Sequence, residues 1–189
     1  MVQTLQNHKG LSKSLVALTA VSFWLLTICG CGPEEPPGFK EPAPHVDILV
    51  GSSQVNAKQL AAWFNFDVEI SLPCQQLGDF HLCTASEPGF ADLELRSGGY
   101  EPLTKPVPLA LEIVSNDQGI QVKSDEAVAA APGDRIPLGE SGSLHAHVEW
   151  FFVGTERAST LTISFRLVEL AENPSHEPSP PYTLTFRLQ

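Results

Sequence analysis

The sequence predicts an all-β domain behind an N-terminal tail: an antiparallel sandwich of about eight strands, immunoglobulin-like or jelly-roll-like. Three observations carry that expectation. Apolar and polar residues alternate with a period of two in several segments, which places one face of a strand in a core and the other in water. Turn chemistry recurs between those segments, at 115–119, 132–134, 139–142 and 154–157. The connections are mostly of hairpin length, whereas a βαβ sheet needs a crossover of about a dozen residues.

In chain order, the first expected strand is 46–50. Segment 56–62 has the composition of one or two helical turns with Asn56 as cap. The clearest alternation follows at 63–70, where Phe64, Phe66, Val68 and Ile70 interleave with Asn65, Asp67 and Glu69. Segments 91–95, 107–114 and 120–123 read as further strands, and 126–131 is ambiguous. Segment 144–152 alternates again, with Leu144, Ala146, Val148, Trp150 and Phe152 on the apolar side. Segments 160–170 and 182–188 complete the set, and the last of these should pin the C-terminal residues into a sheet. No repeat of 20–50 residues is visible.

The first thirty residues differ from the rest. They hold Lys9, Lys13 and no acid, followed by an uncharged apolar run over 15–28. As a helix that run covers roughly 21 Å, short of the ~30 Å hydrocarbon core, so it fits a signal peptide better than a permanent span. The sequence Ile28-Cys29-Gly30-Cys31-Gly32 closes the run and resembles the lipobox of bacterial lipoproteins, with an aliphatic residue at −3, small residues at −2 and −1, then a cysteine. The resemblance implies signal cleavage after residue 30 and lipidation of Cys31. Cys29 fits less well, because Ile28 would then stand at −1. An ordinary secretory cleavage near Gly30, or an uncleaved anchor, is the alternative. The resemblance also implies a membrane partner reached through the N-terminal lipid. With Gly32 rather than Asp after the cysteine, it points to the outer membrane of the cell envelope.

Of 189 residues, 42% are hydrophobic and 17% charged, and the 11 basic residues oppose 22 acidic ones. Without Lys9 and Lys13 the remaining 159 residues carry 9 basic groups against 22 acidic, a formal charge of −13. That balance excludes a surface that tracks nucleic-acid phosphate, and it disfavours adsorption to anionic lipid by charge. Residues 31–44 form a lipidated tether with 5 Pro in the 13 positions 32–44. Such a segment is extended and semi-rigid, reaching up to about 40 Å, and would hold the domain 45–189 off the bilayer.

Cys74 and Cys83 lie in that domain. An exported chain meets an oxidising compartment, so the two are expected to form a disulfide around a polar loop with Phe80 at its tip. A redox or metal pair would want C-x-x-C spacing, which is absent.

The strongest chemical constellation is His145-x-His147-x-Glu149. On a strand the three share a face, with the two histidines roughly 6.7 Å apart and Glu149 roughly 13 Å from His145. The histidines are near enough to grip one metal ion, and His81 is a candidate third ligand; Glu149 is too far. The H-x-H motif of cupins carries its Glu at a longer spacing. The competing reading is a wet face of a half-buried strand, so no metal and no cofactor is assigned. Gly139-Glu-Ser-Gly-Ser143 approaches the G-x-S-x-G nucleophile elbow but has Ser143 for the final glycine and a strand pattern where the helix should follow. No calcium loop or phosphate-binding glycine loop occurs. The chain is therefore expected to be non-enzymatic, a binding or assembly module for an envelope protein partner. The alternatives are a glycan-binding or adhesive module using Trp63, Trp150 or Tyr182, and a metal-dependent enzyme using His145 and His147.

Overall fold

A computed structural model describes residues 47–116, 119–155 and 159–189. The signal segment, Cys31 and the proline-rich tether lie outside the described residues, as do parts of the turns at 115–119 and 154–157. No helix occurs among the described residues, and so none that is long and apolar enough to cross a membrane. The strands are β1 (Asp47–Ser53), β2 (Leu60–Trp63), β3 (Glu69–Leu72), β4 (Cys74–Leu77), β5 (Phe80–Ala85), β6 (Gly89–Asp92), β7 (Tyr100–Glu101), β8 (Pro108–Ser115), β9 (Gln121–Lys123), β10 (Val128–Ala129), β11 (Arg135–Glu140), β12 (His145–Ala146), β13 (Glu149–Gly154), β14 (Thr160–Glu169) and β15 (Tyr182–Leu188).

The all-β class is as the alternation predicts, but the arrangement differs from a sandwich of about eight antiparallel strands. Among the described residues, fifteen strands form three five-stranded sheets. Sheet A has the order β12-β6-β1-β2 with β7 also on β1, sheet B the order β10-β9-β13-β5-β4, and sheet C the order β11-β8-β14-β15-β3. Of the pairings between these strands, β1 with β6 and β15 with β3 are parallel.

The extra strands come from breaks that alternation alone conceals. Segment 63–70 is not one strand: β2 ends at Trp63, and the Asn65 side chain accepts a hydrogen bond from the Asp67 amide at 3.3 Å, turning the chain before β3. Segment 144–152 also divides, its first part pairing with β6 in sheet A and its second with β5 and β9 in sheet B. Helical turns expected at 56–62 are replaced by a single turn, with the Asn56 side chain accepting from the Lys58 amide at 3.2 Å, before β2. The ambiguous segment 126–131 contains β10, and the loop expected between the cysteines is the hairpin β4–β5.

All three sheets share one core. Phe90 from sheet A meets Phe165 from sheet C edge to face, with ring centroids 5.9 Å apart. Trp150 from sheet B lies against Phe186 at 5.4 Å and donates its indole N–H to the Pro88 carbonyl at 3.0 Å. These four rings are fully buried. Their large apolar area contributes to the cohesion between the sheets.

Candidate functional site

Two exposed surfaces and one side-chain cluster stand out. The first surface is the tip of the β4–β5 hairpin. Cys74 and Cys83 are directly opposed in register, 4.0 Å apart at Cα, and are joined by a disulfide. The turn between the strands is Gly78-Asp79, where Gly78 adopts φ +65°, a region that costs a residue with Cβ about 1 kcal/mol or more. Leu77 and Phe80 flank the turn as opposed partners, and both are more than half exposed. Leu82 follows Phe80 on the same face and is paired with Val153, itself 53% exposed. Four apolar side chains thus form one strip on the face opposite Cys83, which is fully buried.

The second surface is the outer face of sheet A. Trp63, Leu49, Ala91 and His145 are successive cross-strand partners on β2, β1, β6 and β12, and therefore lie in one row. Ile48, Val50, Ala62 and Phe90 point the other way into the core. Shallow depressions flank Trp63 on both sides, one against Phe64 and Asn65 and the other against Leu93 and Leu95. Trp63 is 44% exposed and Leu95 78%.

Beside that row lies the cluster. Asp47, Glu87 and His147 present donor atoms that all fall within 4.8 Å of one another. Parallel pairing sets Asp47 opposite Gly89, and His147 follows His145 on the same face. Gly89 makes the arrangement feasible: a Cβ there would stand 2.7 Å from Asp47 Oδ1, 3.0 Å from the Ala146 carbonyl oxygen and 3.1 Å from His147 Nδ1. The Gly89 amide donates to one Glu87 oxygen at 3.1 Å, while the other lies 3.8 Å from His147 Nδ1. Asp47 Oδ1 is shut off from solvent and accepts no hydrogen bond. On its far side His147 Nε2 is 3.0 Å from His145 Nε2, and the two rings meet edge to face.

The structure therefore brings His145 and His147 together, but not with His81, which sits on β5 between Gln76 and Gly154 in sheet B. Glu149 is also in sheet B, paired with Lys123 at 3.5 Å. Asp47 and Glu87 had no signal in the sequence, since only the parallel β1–β6 pairing places them beside His147. Of the three aromatic candidates, Trp150 is core. Tyr182 stacks on Phe66 at 4.7 Å and accepts the Ala62 amide at 2.9 Å, its hydroxyl pushed above its ordinary pKa by burial. Only Trp63 of the three offers an open face. Ser141 is buried, accepting from the Val107 amide at 3.1 Å and donating to the Lys105 carbonyl at 3.0 Å, so its hydroxyl is committed to the backbone.

No family model matches the chain, and no curated protein matches it. Among solved structures it is similar to the N-terminal domain of PorA, with a TM-score of 0.38 and 7% identity, covering 75% of this chain and 97% of that one. So slight a similarity carries no argument about function.

Proposed function

We propose that this chain is a lipid-anchored lipoprotein of the cell envelope, set at the outer membrane, whose β domain is a non-enzymatic binding or assembly module for a protein partner. The observation that carries the reading is the apolar strip Leu77, Phe80, Leu82 and Val153 on a hairpin held by a disulfide. Exposed apolar side chains gain free energy when covered, and a covalently braced hairpin loses little conformational entropy on binding. The occupant that fits is a protein with an apolar cleft rimmed by basic residues, because Asp79 stands in the turn and the mature chain is strongly acidic. The same acidity, and a spacer reaching up to about 40 Å, favour a protein over the bilayer surface.

The test is a photo-crosslinking residue placed at position 80 in the full chain in native membranes, with position 172 on an exposed turn as control. A discrete protein adduct from position 80 that Leu77→Ser abolishes supports the reading. Adducts common to both positions, or adducts to lipid alone, overturn it.

A second reading, glycan binding, is favoured by one observation: the half-exposed Trp63 indole lies between two shallow depressions, as a stacking platform for a sugar ring would. Quenching of Trp63 fluorescence by envelope polysaccharides, lost in Trp63→Ala, is its expected sign; no quenching across a panel removes it.

A further inference from the structure

We infer that Asp47, Glu87 and His147 bind one divalent transition cation of the Zn2+ class at the seam of β1, β6 and β12. This site is independent of the hairpin and goes beyond the binding role proposed above.

Asp47, Glu87 and His147 close over Gly89, which has no side chain to hold them apart. Asp47 Oδ1, the Ala146 carbonyl oxygen and His147 Nδ1 all lie within 3.1 Å of the place where a Cβ on residue 89 would stand, and residue 89 is glycine. The Glu87 carboxylate is drawn to the same place by the Gly89 amide. Donor atoms within 4.8 Å of one another compare with roughly 3.3 Å between two ligands of a tetrahedral ion at ~2.05 Å bonds. Binding therefore needs the side chains to close by an ångström or so, and Glu87, whose side chain is a third exposed, has room to move.

Asp47 Oδ1 is buried and accepts no hydrogen bond. A carboxylate oxygen removed from water without a donor is unfavourable, and buried polar atoms are ordinarily satisfied. A cation held between Asp47, Glu87 and His147 satisfies it.

His145 pairs with His147 beside the two carboxylates. Two imidazole nitrogens 3.0 Å apart share one proton between them. With that proton on His147 Nε2 and donated to His145, the Nδ1 lone pair of His147 faces Asp47 and Glu87. Metal-bound histidines characteristically donate their other ring N–H in this way, which holds the tautomer and the ring orientation. His145 is thus a positioning residue rather than a ligand. Two carboxylates with one imidazole and no thiolate suit Zn2+ or a neighbouring divalent transition ion; a soft monovalent ion would want sulfur, and Ca2+ or Mg2+ an all-oxygen set. The competing account is a protonated His147 that simply pairs with the two carboxylates.

The experiment uses the full untagged chain in detergent micelles, stripped with a chelator and titrated with Zn2+ by calorimetry. One Zn2+ per chain is expected. Asp47→Asn, Glu87→Gln and His147→Gln should each weaken binding at least tenfold, His145→Ala about tenfold as an outer-shell change, and His81→Ala not at all. Gly89→Ala should abolish binding, because its methyl would press Asp47 Oδ1 and His147 Nδ1 out of place. Because that variant has a methyl pressed against the Ala146 carbonyl, the decisive one is Asp47→Asn. In chelator it should melt at or above the temperature of the unsubstituted protein, and it should lose the Zn2+-dependent rise that the unsubstituted protein shows. Absence of stoichiometric Zn2+ binding, or binding that survives Asp47→Asn and is lost in His145→Ala, overturns the inference.

Discussion

Glu112 on β8 faces Arg166 on β14 directly across sheet C, its Oε1 accepting from Arg166 Nε at 2.7 Å. Arg135 on β11 takes the other oxygen at 2.7 Å, so one almost fully buried carboxylate ties three adjacent strands in a row. Burial pushes the Glu112 carboxyl up, but hydrogen bonds from Arg135 and Arg166 together outweigh it and hold the group below the ordinary carboxylate range. A depressed folded-state value means that the stabilisation is complete at neutral pH and is lost as pH falls through that value. Glu112→Gln should therefore lower stability by about 2 kcal/mol at pH 7, and the variant and the unsubstituted protein should converge in acid. Urea denaturation at several pH values checks both statements.

Removing the Cys74–Cys83 bond should destabilise the chain by roughly 2.7 kcal/mol, the loop-entropy value for the ten residues it closes. The double variant Cys74→Ala/Cys83→Ala should also lose the crosslink at position 80 more than it loses fold, because the strip on the hairpin is then no longer braced. Thermal melting and the crosslinking yield, measured on the same samples, separate the two effects.

Glu169 organises the turn that follows β14. It accepts from the Ser175 amide at 3.0 Å, the His176 amide at 3.0 Å and His176 Nδ1 at 3.0 Å. Burial raises this carboxyl, yet the His176 and Ser175 bonds bring it below the ordinary range. Glu169→Ala should speed hydrogen exchange at the Ser175 and His176 amides by about tenfold, one lost net hydrogen bond each. Amides of β15, which do not depend on Glu169, should change little.

The proposed acylation of Cys31 predicts that Cys31→Ala leaves the protein unlabelled by radioactive palmitate and releases it from the membrane fraction. Cys29→Ala should keep both label and membrane. Label retained in Cys31→Ala would contradict the assignment.

Strands with one face against the core were legible because their period of two is local. Segment 182–188 coincides with β15, and 160–170 matches β14 to within one residue. The disulfide was legible from spacing and compartment alone. Less was legible wherever alternation ran through a break. Leu144 to Trp150 keeps an unbroken alternation although the chain passes from sheet A to sheet B within it, because Leu144 just before β12, Val148 between the strands and Trp150 on β13 all reach the same core. Likewise Phe64 and Phe66 pack inward from a turn, not from a strand.

The sequence by itself determined the all-β class, the pairing of Cys74 with Cys83 and the acidity of the domain, since these rest on short-range periodicity, on the cysteine count of a chain expected to be exported, and on composition. Only the tertiary structure decided that there are three sheets around one core, that Trp63 looks outward, and that Asp47 and Glu87 rather than His81 accompany His147. The reason is that these relations arise from strand pairings that no local period encodes, such as β1 with β2, β1 with β6 and β6 with β12. A parallel pairing such as Asp47 with Gly89 leaves no local period to read; it is chosen by which strands can cover Phe90, Trp150 and Phe165 together.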